Sequence, residues 1–270
     1  MCGYNPVADS SKTSSDTTPV AIITGGGTGV GAATAAKLSA RGYRIAVNYS
    51  RSASEAEATA AACREAIAIQ GDVAADADCR RIVAETMARW GRVDALVNCA
   101  GATQFVPMDD LEALNAEDFQ RVFAVNTIAP YQLARAAAPY LRSSGKGAIV
   151  HVSSTSAYTG NGSSYAYVTS KAALHTLTLA LARALAPEIR VNCVVPGLIT
   201  SRWLGKGLGE EAYQRVRQSW VDASALGKVC APEDVAEVIA WLVADAALIT
   251  GQLITVDGGF LLGRPARIAK

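Results

Sequence analysis

The chain has 270 residues, half of them hydrophobic, with 25 Lys and Arg against 24 Asp and Glu and a formal net charge of +1. That length suits one large α/β domain or two small ones, with ample core. Without a basic stripe or a block of like charges, the composition gives no footprint of nucleic-acid or anionic-membrane binding.

Six scattered cysteines, Cys2, Cys63, Cys79, Cys99, Cys193 and Cys230, form no C-x-x-C pair, and only His151 and His175 are there to join them. They read as reduced thiols of a cytoplasmic protein, mostly small core residues, with no metal site. Residues 1–18 are rich in Ser, Thr, Asp and Pro and lack an apolar h-region, so they read as a disordered leader rather than a signal peptide. No later run approaches the roughly 20 uninterrupted apolar residues of a membrane span.

From Val20 short apolar runs alternate with helical stretches. V-A-I-I-T reads as a buried strand, Gly29 to Arg41 as a helix, R-I-A-V-N-Y as a strand and Ser54 to Ala66 as a helix. A-I-A-I-Q follows as a strand, then a helix from about Asp76 to Trp90 and a strand at A-L-V-N. The second half predicts a long helix from about Ala116 to Arg142, a strand at A-I-V-H-V-S, and an Ala/Leu-rich helix carrying Lys171. A strand at R-V-N-C-V-V, a helix from Pro232 to Ala244 and a strand at L-I-T-V complete the series. Strands separated by helices imply βαβ units, hence a parallel sheet with helices on both faces and a ligand site at its carboxyl edge. No linker or composition shift divides residues 19–270, which read as one domain.

Two stretches carry chemistry. T-G-G-G-T-G-V-G, Thr24 to Gly31, lies between the first strand and helix, where glycines let backbone N–H groups and a helix N-terminus approach a pyrophosphate. Tyr167 and Lys171 stand four apart at the start of a helix, so phenol and ammonium share a face. An adjacent cation is expected to lower the phenol's pKa toward working range, making Tyr167 a proton donor, with Ser154 offering a hydroxyl to the reacting oxygen.

With G-D-V at Gly71, N-C-A-G at Asn98, V-N-T-I-A-P at Val125, Y-V-T-S-K at Tyr167, V-V-P-G at Val194 and I-T-G-Q-L-I-T-V-D-G-G at Ile249, in this order, the chain resembles the short-chain dehydrogenase/reductase family from about Val20 to Phe260. The implied fold is α/β: a single Rossmann-type doubly wound domain with a seven-stranded parallel sheet and helices on both faces. The resemblance makes Tyr167 general acid in reduction or base in oxidation, while Lys171 tunes it and holds the nicotinamide ribose. Ser154, thirteen residues before Tyr167 as in the family, steadies the carbonyl, and Asn126 holds a water linking Lys171 to solvent.

For the cofactor, the resemblance assigns Gly25, Gly27, Thr28, Gly29, Val30 and Gly31 to the pyrophosphate loop and Asp72 and Val73 to the adenine. Asn98, Ala100 and Gly101 line the fourth strand's end, and Pro196 and Gly197 turn the chain so that the backbone of Ile199 meets the carboxamide. Ser201, or Thr200 beside it, supplies a hydroxyl there. Cys99 stands where the family usually has a second asparagine, with packing consequences only. Tyr49, Ser50 and Arg51 end the second strand where an acidic residue would select NAD(H); a guanidinium suits a 2′-phosphate, so NADP(H) is expected, with NAD(H) the alternative.

Residues 198–231 fall where the family places its variable substrate lid. Trp203, Leu204, Leu208, Trp220 and Leu226 either wall the pocket or anchor the lid to the body, and Thr103, Gln104, Phe105 and Tyr158 to Gly162 complete the rim. The nearest resemblance is to 3-oxoacyl-carrier-protein reductases; Gly29, where pteridine reductases carry arginine, counts against a pterin. A neutral ketone or alcohol is the expected substrate, and a homotetramer (or homodimer) built through the helices of Ala116 to Arg142 and Lys171 to Ala186 the expected assembly. The alternatives are an NAD-dependent alcohol or sugar dehydrogenase and a silent nucleotide-binding sensor, the latter disfavoured by the complete Ser–Tyr–Lys–Asn set.

Overall fold

The structure is a computed structural model and describes residues 17–200 and 209–263. Seven strands, β1 (Val20–Thr24), β2 (Arg44–Tyr49), β3 (Ala66–Gln70), β4 (Ala95–Asn98), β5 (Gly147–Val152), β6 (Ile189–Pro196) and β7 (Leu253–Val256), form one parallel sheet. Their spatial order is β3-β2-β1-β4-β5-β6-β7, so direction across the sheet reverses between β1 and β4.

Register explains the two cores. Ile22, Leu96, Ile149 and Val191 are in-register neighbours, and all four turn to one face. There they meet Ile82 of α3 (Asp76–Trp90), Leu133 and Leu141 of α5 (Ala129–Ser143), and Leu185 of α7 (Tyr165–Leu185). The alternate residues Ile23, Val97 and Val150 face the other side, against Leu38 of α1 (Gly29–Ala40), Ala56 of α2 (Ala53–Ala62), and Ile239 and Leu242 of α9 (Pro232–Ala244). Apolar residues at both parities are what a strand covered by helices on both faces requires.

Three elements differ from the sequence reading. The predicted helix from Ser54 to Ala66 stops at Ala62, which frees Ala66 to start β3. The long helix expected over Ala116 to Arg142 is α4 (Ala116–Phe123) and α5, joined by a π turn at Ala124–Ile128. Within the expected lid, Glu210–Ala223 forms a helix, α8, and Ile199 pairs with Cys230 beneath it. Residues 1–16 of the expected leader and the tail beyond Gly263 lie outside the described residues.

Candidate active site

Carboxyl ends of β1 and β4 part where the strand order reverses, and the glycine loop enters that gap. Gly25 approaches so closely that a Cβ on it would lie 3.0 Å from Ala100 Cα, and a Cβ on Gly31 would lie 2.3 Å from Gly25 O. At Gly29, with φ +53°, a Cβ would meet nothing within 4 Å, so the start of α1 opens into free space. Thr28, its N-cap, makes no side-chain capping bond, which leaves first-turn N–H groups for an anion. This glycine cradle at an uncapped helix N-terminus fits a dinucleotide pyrophosphate. Gly27 packs on Ala56 of α2, Val30 is half-buried, and Ala100 N donates to Thr24 Oγ1 at 3.1 Å, fixing the facing β4 loop.

The loop after β3, where the resemblance puts the adenine, is held by Asn48, a buried side chain that sequence reasoning missed. Its Nδ2 donates to Ile69 O at 3.2 Å and Gly71 O at 3.1 Å, tying β2 to the loop after β3. Asp72 N donates to Asp78 Oδ2, Asp72 Oδ1 accepts from Ala74 N, and Val73 is buried beside them. Tyr49 is half-buried, Ser50 O accepts from Gln70 Nε2, and Arg51 is exposed without an ion pair among the described residues.

At the catalytic end, Ser164 starts α7 by accepting from Tyr167 N at 3.2 Å. Tyr165, the rival tyrosine, points elsewhere and donates to Met108 O at 2.7 Å. Lys171 is 5% exposed; its Nζ donates to Val152 O at 2.8 Å and lies 5.8 Å from the Tyr167 ring centroid. Burial drives the ammonium's pKa down to about 8.

The expected lowering of the Tyr167 pKa by Lys171 does not occur. Burial raises it, opposed only by the hydrogen bond with Ser154, because the ammonium is turned to the Val152 carbonyl. A phenol so placed stays protonated at neutral pH. Ser154 Oγ also accepts from Ser156 N at 3.2 Å, which fixes the hydroxyl beside the tyrosine.

The π turn accounts for Asn126. One extra residue in the turn directs this side chain inward, where it is 1% exposed. Its Nδ2 donates to Ala102 O and Ser170 Oγ, both at 2.9 Å, and its Oδ1 accepts from Ala102 N at 2.8 Å. Ser170 Oγ in turn donates to Tyr167 O at 2.7 Å, so the amide joins α7 to the β4 loop. A Cβ on Gly101 would lie 3.7 Å from Asn126 Oδ1 and 3.9 Å from Lys171 Nζ, so this glycine leaves both groups facing one space.

Beneath lies a polar row in which Asn98, expected to line the cofactor site, joins Thr24, His151 and Cys193 as register neighbours across four strands. Asn98 Nδ2 donates to His151 Nδ1 at 3.1 Å, and burial with the Lys171 charge holds His151 neutral, its pKa down to about 3. Burial also pushes the Cys193 and Cys99 thiols up to about 12, so both are inert packing groups; Cys99 bonds the Thr34 hydroxyl.

Beyond β6, Pro196 is buried, Gly197 N donates to Val256 O at 2.9 Å, and Thr200 N donates to Cys230 O at 2.8 Å, which fixes the backbone around Ile199. Thr200 Oγ1 donates to Cys230 O at 3.3 Å. Ser201, Trp203, Leu204 and Leu208 lie outside the described residues. Of the other lid residues, Leu226 is 73% exposed among the described residues, while Trp220 stacks on Phe260, which makes it an anchor. Tyr158 of α6 (Ser156–Thr159), expected on the rim, bonds Thr255 and packs on His175. Thr103 pairs with the Ser163 hydroxyl, and Gln104 Oε1 accepts from Arg121, so the rim's far side is braced; Phe105 is half-buried there.

Comparison with known proteins agrees with this architecture. Residues 25–261 match the family described as Enoyl-(Acyl carrier protein) reductase. A Streptomyces violaceoruber protein named as ketoacyl reductase 2 of the granaticin polyketide synthase is 40% identical over 89% of this chain and 95% of its own length. The 3-oxoacyl-[acyl-carrier-protein] reductase of a Synechocystis species is 32% identical over 91% and 98%. A Burkholderia xenovorans structure described as a short-chain dehydrogenase/reductase superposes with a TM-score of 0.84 at 39% identity, covering 91% of this chain and 99% of that one. The chain belongs to the short-chain dehydrogenase/reductase family, and it is an oxidoreductase of the NAD(P)(H)-dependent class that this family comprises.

Proposed function

We propose that the protein reduces a ketone, of the 3-oxoacyl type or another small neutral carbonyl, to a secondary alcohol with NADPH. The reading rests above all on the placement of Tyr167, whose phenol bonds the Ser154 hydroxyl while the buried Lys171 ammonium lies 5.8 Å from its ring. The bound nicotinamide supplies the hydride. Ser154 donates to the carbonyl oxygen and orients the carbon, and Tyr167 delivers the proton to that oxygen as charge develops on it. Lys171, its ammonium easily deprotonated at about 8, donates to the ribose hydroxyls and returns a proton to Tyr167. Asn126 holds the water through which Lys171 is recharged. Relatives named for ketoacyl and 3-oxoacyl reduction support the carbonyl class.

Arg51 supports NADPH over NADH. It stands exposed at the end of β2 with no competing carboxylate partner among the described residues, free to grip a 2′-phosphate bidentately. The groove of about 270 Å³ between α5 and α7, lined by Tyr131, Ala134, Ala138, Leu181 and Leu185, supports a homotetramer or homodimer built on these helices. We place the protein in the cytoplasm.

Two titrations test this reading. Purified protein consumes NADPH with a panel of 3-oxoacyl thioesters and simple ketones at neutral pH. Arg51→Ala weakens NADPH by roughly tenfold, the scale of one charge-assisted contact, and leaves NADH unchanged. Equal binding of NADPH and NADH, untouched by the substitution, assigns Arg51 to the surface and redirects the assay to secondary alcohols with NAD.

A further inference from the structure

We infer that Trp220 and Phe260 are a positioning pair that couples the lid helix to the nicotinamide end of the cofactor site; the inference rests on the proposed cofactor reading. The two rings stack nearly parallel, with centroids 3.6 Å apart and planes at 14°. Trp220 belongs to α8 of the lid, and Phe260 to the turn that follows β7. They are forty residues apart in sequence, and each is tied to a different wall of the site.

On one side, Trp220 Cζ3 sits 3.2 Å from where a Cβ of Gly197 would be, so the indole fills the space in which that residue lacks a side chain. Gly197 begins the segment that carries Ile199 past the carboxamide position. Thr200 N donates to Cys230 O and Cys230 N to Leu198 O, which clamps that segment from beneath. On the other side, the Asp257 carboxylate accepts from Gly259 N at 2.8 Å and Leu261 N at 2.9 Å, holding the turn that presents Phe260. The same turn grips the end of α8: Leu226 N donates to Gly258 O, and Ala225 N to Gly259 O. A Cβ on Gly258 would lie 2.7 Å from Lys228 O, and one on Gly259 would lie 2.8 Å from Ala225 Cβ, so close approach here needs both glycines.

The indole therefore has two neighbours with different duties. Phe260 fixes where α8 ends, and Gly197 fixes where the cofactor-facing backbone runs. A ligand that orders the Gly197–Thr200 backbone favours the seated indole, and with it the observed position of α8; by linkage the seated α8 favours that ligand equally.

Phe260→Leu tests this, since it keeps an apolar side chain and removes the ring. Direct titration of NADPH against the purified protein should show roughly three- to tenfold weaker binding, the range an aromatic pair commands, with Phe260→Tyr restoring it. With a ketone turned over by the wild type, the KM for the carbonyl should rise while kcat at saturation stays within about twofold, the split expected when positioning rather than the acid is lost. Unchanged NADPH affinity in a folded Phe260→Leu protein overturns the proposal. So does a uniform loss of active fraction that matches a fall in Tm with KM unaltered. Because the binding arm needs no turnover, absence of ketone reduction by the wild type counts against the proposed activity and leaves the coupling decided by the titration.

Discussion

Lys171 shows at the scale of one residue how the site sets its chemistry against its own stability. An ammonium 5% exposed and donating to the Val152 carbonyl at 2.8 Å is an expensive group to bury. Its folded-state pKa of about 8 lies below the ordinary lysine value of 10.5, so between those limits the unfolded chain binds more protons than the folded one. Stability from this group therefore rises as pH climbs from about 8 toward 10.5, and the penalty is in full force below pH 8. Lys171→Met is expected to raise Tm at pH 7, to flatten the rise of Tm between those pH limits, and to cut turnover by roughly 10²-fold or more. A less stable Lys171→Met protein at pH 7 would contradict this account of the buried charge. Tyr167 is perturbed in the other direction: burial raises its pKa, so proton delivery from it depends on the negative charge that develops on the carbonyl oxygen beside it.

At the scale of elements, the loop between β1 and α1 makes the sharpest demand on sequence. A Cβ on Gly31 would sit 2.3 Å from the Gly25 carbonyl oxygen, an approach backbone cannot tolerate without moving α1 away from the loop. Gly31→Ala is expected to abolish measurable binding of either nicotinamide cofactor by titration and to destabilise the fold by about 1–3 kcal/mol in urea unfolding, as overpacking does. Full cofactor binding by Gly31→Ala would mean that α1 is not fixed by this contact. The strands and most helices were legible from their apolar runs, because a sheet buried on both faces leaves few polar positions to misread. The π turn at Ala124–Ile128 was not, since one added residue leaves helical composition intact; yet it is what turns Asn126 inward. Helix α8 was not assigned although Tyr213, Val216 and Trp220 recur at helical spacing: the segment read as a glycine-flanked lid, and none of the helix's residues is buried. The working set of Ser154, Tyr167 and Lys171 was legible through spacing and motif order. The lysine's attachment to Val152 O and the Trp220–Phe260 stack were not, because both are contacts between distant parts of the chain.

For the whole molecule, exposed apolar groups gather at two places among others. Ile128, Tyr131 and Tyr140 of the π turn and α5, with Leu179 of α7, stand exposed around the α5–α7 groove, and Leu248 stands exposed ahead of β7 beside Ile249 and Ile254. Two such surfaces on one chain are what a dimer of dimers uses. Sedimentation at micromolar concentration is expected to give a tetramer or dimer, and Leu179→Glu to shift it toward smaller species; a monomeric wild type would remove this part of the reading. The proposed role of Tyr167 is that of proton donor in an otherwise intact cofactor site. Comparing wild type and Tyr167→Phe for NADPH binding and for single-turnover ketone reduction tests it. NADPH affinity is expected to stay within about twofold while the reduction rate falls by roughly 10²- to 10⁴-fold, the range of general-acid catalysis. A Tyr167→Phe protein that binds NADPH and reduces the ketone at the wild-type rate would contradict it.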